Sequence, residues 1–273
     1  MTKLSPATQA EMHKFACALA VDAGALLKRG FNRRMTVRYK GRIDPVTEVD
    51  LKSERFIVDR IRRRYSDHDI LAEESTASRK RISEFRWIID PLDGTVNFAH
   101  GFPIYCVSVA VEHEGTVCAG AVYDPERDEL FHASRGRGSF VNKQRLHVST
   151  ERNLERALLV TGFAYDIGTS RRNNLGYFAR MIKKAQGIRR PGSAAIDICW
   201  VAAGRADGFW ELKLHPWDTA AAVLLLHEAG GKSSRVNGRP HSIYDPDLVA
   251  SNGLLHDQMR RVLTGRAPAL RKR

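Results

Sequence analysis

The chain has 273 residues, with 44 Lys plus Arg against 31 Asp plus Glu and a formal net charge of +13. With 43% hydrophobic residues, 27% charged residues and 10 prolines, its composition is that of a globular protein, which excludes disordered, collagen-like and repeat chains. No apolar run approaches the roughly 20 residues of a spanning helix; the longest, Ala220–Leu226, is followed by His227 and Glu228.

The start of the chain, Met1–Gln9, is polar, and Glu11, His13, Lys14 and Asp22 interrupt the segment where a secretory signal needs an unbroken apolar stretch. A cytoplasmic protein without a membrane anchor is expected. Cys17, Cys106, Cys118 and Cys199 have no C-x-x-C spacing and are expected as reduced core residues. Basic clusters such as Arg62–Arg64, Arg79–Arg81, Arg189-Arg190 and Arg271–Arg273 are scattered over the chain, without an aromatic-glycine pattern or zinc-finger spacing. They read as solvated helix faces, although such a field also attracts an anionic small substrate.

In chain order, Ser5–Arg29 places Met12, Phe15, Ala16, Leu19, Ala23, Leu26 and Leu27 at three-four spacing, which predicts an amphipathic helix. A polar, basic stretch from Asn32 to Asp44 interrupts it. Thr47-Glu48-Val49-Asp50 then reads as a capping box that opens a second helix with Leu51, Ile57, Val58 and Ile61 facing inward. Two short buried strands, Asp69–Ala72 and Trp87–Asp90, lead into carboxylates, which points to a site at strand ends. Val107–Glu112 and Val117–Tyr123 flank His113-Glu114-Gly115 as a hairpin, and Glu129–Ala133 with Ser139–Asn142 extend the sheet.

After Leu146 the predicted elements alternate: strand Ala157–Thr161, helix Arg171–Ala185, strand Ile188–Arg190, helix Ser193–Ala203, strand Gly208–Glu211, helix Trp217–Ala229. This is a mixed α/β second half. Arg266–Arg273 reads as a basic tail.

The chemistry concentrates in Asp90-Pro91-Leu92-Asp93-Gly94-Thr95-Val96-Asn97-Phe98. A turn at Pro91 can bring Asp90, Asp93 and the Leu92 carbonyl to one point, an all-oxygen set suited to Mg²⁺. Gly94 permits close backbone approach, and the N–H groups opening the next helix can cradle a phosphate. Glu73-Glu74, Asp50 and the Asp218 of Pro216-Trp217-Asp218-Thr219 would complete a multi-cation site. Each also has a plain reading: an Asp-rich turn, a solvated acid pair, and two helix caps.

These motifs, in order and with Glu228-Ala229-Gly230-Gly231 behind them, resemble the inositol monophosphatase family of lithium-sensitive, Mg²⁺-dependent phosphatases, over about Leu4–Leu263. The resemblance implies a layered α/β/α/β/α sandwich, one catalytic domain over 4–265 with lobes of about 4–145 and 146–265, and commonly a homodimer. It implies one Mg²⁺ on Glu73, Asp90 and the Leu92 carbonyl, a second on Asp90, Asp93 and Asp218, and a third leaning on Glu73. Asp50 and Thr95 match the pair that orients and deprotonates the attacking water.

By the same resemblance, the Gly94 and Thr95 N–H groups bind phosphate oxygens, Ser193, Ala194 and Glu211 contact the polyol, and Asp93 and Asp218 also belong to the substrate-binding set. Lys40–Asp44 matches a mobile loop. Lys213 and His215 bring a cation and an imidazole near the polyol, with His215 expected to pack and not to bind metal, because Mg²⁺ prefers oxygen. The implied activity is hydrolysis of a polyol phosphate monoester, myo-inositol monophosphate first, by metal-activated water. Histidinol phosphate, fructose bisphosphate or a nucleotide phosphate are alternative substrates, and an RNA-linked transcription antitermination role is an alternative function.

Overall fold

Ser5 caps the first helix by accepting the Thr8 N–H at 3.0 Å, and Pro6 supplies a first-turn residue that needs no donor. The structure is a computed structural model and describes residues 4–31, 37–39, 45–75 and 82–265. The basic clusters at 33–34, 79–81 and 271–273, the 40–44 loop and the tail lie outside the described residues. Helix α1 (Pro6–Gly30) buries Met12, Ala16, Leu19, Ala23 and Leu27, while Phe15 and Leu26 are half-buried. Strand β1 (Val37–Tyr39), inside the polar stretch from Asn32 to Asp44, pairs antiparallel with β2 (Pro45–Thr47) just after it.

Thr47 and Asp50 form the expected capping box of α2 (Glu48–Arg64). Leu51, expected inward, is 46% exposed. The buried stripe of α2 runs through Asp50, Ser53, Glu54, Ile57, Val58 and Ile61, and Leu51 lies one residue off it.

Strands β3 (Asp69–Ala72) and β4 (Phe85–Asp93) pair in parallel and begin a seven-stranded sheet. After the short helix α3 (Thr95–Ala99) come β5 (Cys106–His113) and β6 (Thr116–Asp124), joined by Glu114 (φ 45°) and Gly115 (φ 85°). Two positive-φ residues are what a tight hairpin turn matched to strand twist requires. Strands β7 (Glu129–Ser134), β8 (Ser139–Val141) and β9 (Gln144–Arg145) complete the order β3-β4-β5-β6-β7-β8-β9.

The second half contributes β10 (Leu158–Thr161), α4 (Leu175–Met181), β11 (Gly187–Arg189), α5 (Ala194–Ala202), β12 (Gly208–Leu212), α6 (Pro216–Glu228), β13 (Lys232–Ser234), β14 (Asp247–Ser251) and α7 (His256–Thr264). Its sheet runs β11-β10-β12-β14-β13.

Helix α4 is much shorter than the expected 171–185. Before it, Arg172 turns to Asp247 at 3.2 Å and Asn173 accepts the Leu175 N–H at 3.2 Å. After Met181, residues 182–184 are all exposed, so no packed face sustains another turn. The β13, β14 and α7 elements carry little period signal; β13 is three residues long and α7 buries only His256, Met259 and Leu263.

Three cores stack the layers. One joins α1 and α2 to one face of the seven-stranded sheet. A second packs α5 and α6 between the two sheets, with Ile88, Val122 and Phe131 on one side and Val160, Phe209 and Ala250 on the other. The third seats α4 and α7 on the far face of the five-stranded sheet, through Met181, Trp210 and Met259. The result is the expected α/β/α/β/α sandwich. Cys106, Cys118 and Cys199 are buried, Cys17 is half-buried, and all four are free thiols.

Candidate active site

Strand β4 does not end in the turn expected at Pro91. It continues to Asp93 through a register shift against β5 between Asp90 and Asp93. Pro91 has no N–H for the ladder, so an irregularity absorbs it while the flanking residues stay paired. Asp90 and Asp93 are thereby buried together at the carboxyl end of one strand. Asp90 Oδ1 accepts the Leu92 N–H at 3.1 Å. Gly94 then turns the chain into α3 with φ 96°, and a Cβ there would come within 2.8 Å of the Ile104 carbonyl, so only glycine fits.

Helix α2 delivers Asp50 to the same point, anchored by Ser53 Oγ, which donates to the Pro91 carbonyl at 2.9 Å. Asp50 Oδ2 accepts the Thr47 N–H at 2.9 Å and the Thr47 hydroxyl. Asp50 Oδ1 faces Thr95, whose hydroxyl lies 3.1 Å away and also 3.0 Å from the Leu92 carbonyl. Burial raises the Asp50 carboxyl above its ordinary range, and the bonds from Thr47 and Thr95 oppose that rise.

The five-stranded half closes the site. Asp93 Oδ2 accepts Ser193 Oγ and the Ala195 N–H, both at 2.7 Å, at the start of α5. Asn97 Nδ2 donates to the Ile104 and Pro191 carbonyls at 2.8 Å each, tying the α3 turn to the segment before Ser193. Asp218 is the third residue of α6, and its Oδ2 accepts the His215 N–H at 2.7 Å. For Asp50 and Asp218 the cap reading and the site reading therefore hold together: one oxygen caps, and the carboxylate still reaches the site.

Glu73, Asp90, Leu92, Asp93, Gly94, Thr95, Ser193, Ala194, Glu211 and Asp218 all line one cavity of about 500 Å³. Asp50 sits behind it and is reached through Thr95. Burial, then Glu73, Asp93 and Asp218 push the Asp90 carboxyl well above its ordinary value; burial and then Asp93 do the same for Asp218. Like charges crowded in a partly buried, all-oxygen donor set ionise together readily only beside cations, so these residues fit hard divalent ions such as Mg²⁺. Glu211 is pushed up to about 8 by burial and then by Asp93, against the opposing pull of Arg190.

Lys213 Nζ pairs with Asp166 and donates to Ser170, so it anchors the cavity's rim loop. His215 stacks on Trp217 with centroids 4.8 Å apart. Asp197 and residues 163–166 also line the cavity without having been singled out from sequence, and Arg190, expected on a solvated face, lines it too. An available signal for Asp197 was its position as the one acid in the apolar helix α5. Cys106, expected as core, is buried, with its thiol 3.9 Å from Asp93 Oδ2.

Known proteins resemble this chain along most of its length. The profile of the inositol monophosphatase family matches residues 8–269. An inositol-1-monophosphatase from Synechocystis sp. is 40% identical over 260 residues, covering 95% of this chain and 91% of that one. The Nus factor SuhB of Pasteurella multocida is 40% identical over 242 residues, covering 88% and 91%. The crystal structure of the extragenic suppressor protein SuhB from Bartonella henselae superposes with a TM-score of 0.87 at 37% identity, covering 93% of this chain and 98% of that one.

Proposed function

The chain belongs to the inositol monophosphatase family, and from that premise we propose that its cavity hydrolyses the phosphate monoester of a polyol, myo-inositol monophosphate first. The observation that carries this reading is the convergence of Glu73, Asp90, Asp93, Asp218 and Thr95 on one cavity, with Asp50 behind Thr95. Glu73, Asp90 and the Leu92 carbonyl would hold one Mg²⁺, and Asp90, Asp93 and Asp218 a second, with a third leaning on Glu73. When bound, such ions supply charge neutralisation for the phosphate and lower the pKa of a nearby water.

The chain's own residues do the rest. A water approaching phosphorus passes its proton toward Thr95 Oγ, while the Thr95 proton moves to Asp50 Oδ1, 3.1 Å away. The Gly94 and Thr95 N–H groups take phosphate oxygens. As the phosphorus–oxygen bond to the polyol breaks, the departing alkoxide takes a proton from water. Ser193 and Ala194 face the polyol, and Glu211 accepts hydrogen bonds from its hydroxyl groups. The core shared by both sheets supports treating 4–265 as one catalytic unit. Among the described residues no helix is long and apolar enough to cross a membrane. We place the protein in the cytoplasm, as a homodimer.

The test is phosphate release with Mg²⁺, with and without Li⁺, on inositol monophosphates, histidinol phosphate, fructose bisphosphate and phosphoadenosine phosphate, with Asp93→Asn as the blank. A Li⁺-sensitive preference for inositol monophosphate supports the reading; no release from any substrate overturns it. The relative that is named a Nus factor favours a second reading, binding within an RNA-linked antitermination complex. That role would survive Asp93→Asn and fail on charge reversal of Arg62–Arg64.

A further inference from the structure

On the opposite side of the seven-stranded sheet from α6, α1 carries a stripe of Gln9, His13 and Cys17, spaced four residues apart on one helix face. The stripe lies against β6 and β7. Gln9 Nε2 locks the helix there, donating to Ser134 Oγ at 2.9 Å and to the Arg135 carbonyl at 2.8 Å. One turn along, His13 Nε2 lies 3.1 Å from Nδ1 of His132 on β7. The ligand atoms of His13, Cys17 and His132 all lie within 4.8 Å of one another, and all three residues are half-buried, within reach of solvent. None of them lines the phosphatase cavity.

We propose that His13, Cys17 and His132 form a transition-metal site that takes Zn²⁺, with the fourth position left to water. The donor chemistry selects the ion: two imidazole nitrogens and a thiolate suit a borderline cation and not Mg²⁺. The separation also fits. Two nitrogens at 2.0–2.1 Å from a tetrahedral zinc stand about 3.3 Å apart, close to the 3.1 Å found.

His132 is already set for this role. Its Nε2 lies 2.9 Å from the Asn142 carbonyl, which only accepts, so Nε2 carries the proton and Nδ1 turns its lone pair toward His13. The ring is further held by stacking on Phe140 at 5.6 Å. In the metal-free protein His13 Nε2–H donates to that lone pair; with zinc, His13 takes the Nδ1–H form and both nitrogens bind the ion. Burial lowers His13 to about 4 and raises Cys17 to about 12, so both are neutral near pH 7. Zinc therefore enters against the thiol proton, releasing one proton to solvent per ion bound. The ion would clip α1 to β7, joining His13 to His132 across 119 positions of the chain.

The test is titration of chelator-treated full-length protein with Co²⁺ under excess Mg²⁺, which leaves the hard oxygen site to magnesium. The expected result is thiolate-to-cobalt charge-transfer absorption that saturates at one Co²⁺ per chain and is bleached by Zn²⁺. Cys17→Ala abolishes the band while phosphatase activity stays unchanged, and His13→Gln weakens cobalt binding roughly 10-fold or more. Asp93→Asn keeps the band. Zn²⁺ raises the melting temperature of the parent protein and not of Cys17→Ala. Absence of the band in folded parent protein, or its persistence in Cys17→Ala, overturns the proposal.

Discussion

Thr95 Oγ stands 3.1 Å from Asp50 Oδ1 and 3.0 Å from the Leu92 carbonyl, so its single proton can serve only one of them at a time. A cation on the Leu92 carbonyl would repel that proton and direct it to Asp50, coupling metal binding to the orientation of the relay. Thr95→Ala is therefore expected to lower kcat by about 10²–10⁴, with a much smaller change in KM. Thr95→Ser, which keeps the hydroxyl, should recover most of the rate. Steady-state kinetics of the two variants check this.

Asp50 divides its two oxygens between a helix cap and the site. Thr47→Ala removes one side of the cap and should cost about 1 kcal/mol of stability, read as a lower denaturation midpoint in urea. It should also lower kcat, because Asp50 Oδ2 loses the hydroxyl that holds it.

Asp93→Asn is expected to reduce phosphate release by on the order of 10²–10³ or more. An amide can still accept from Ser193 and Ala195, so the fold should persist while Mg²⁺ affinity falls. Calorimetric Mg²⁺ titration beside circular dichroism separates the two effects.

Glu211 rises from an ordinary 4.5 to about 8 in the folded protein. An unfolded chain thus loses this proton near 4.5, while the folded one keeps it until about 8. The contribution to stability is full below about 4.5 and is lost as pH climbs toward 8. In metal-free protein, Glu211→Gln should flatten the decline of melting temperature across that window. An unchanged slope would show that Glu211 does not hold its proton.

A Cβ at Gly162 would run into the Glu211 carboxylate. Gly162→Ala should displace that acid and raise KM for a polyol phosphate by roughly tenfold, the equivalent of about 1.4 kcal/mol, with little effect on kcat.

Much of this protein is decided locally and is legible in its residues. The three-four spacing of Met12 to Leu27 determines α1, Thr47 with Asp50 determines the start of α2, and Glu114-Gly115 determines a hairpin, because caps, periodicity and turn conformations depend on neighbours in the chain. Leu51 and the length of α4 did not follow, since which helix face is covered depends on the sheet it meets. Pro91 reads locally as a turn, whereas β5 pairs on both sides of it and carries β4 through to Asp93. The acids Glu73, Asp90, Asp93 and Asp218 were visible as candidates, but each had an innocent local reading. Only the tertiary structure brings them together, with Asp90 and Asp93 buried and Glu73 and Asp218 half-buried, and burial with like charge is what raises Asp90 and Asp218 and calls for a cation. The meeting of His13 and Cys17 with His132 had no such local signal, because only the packing of helix α1 on the sheet brings it beside strand β7.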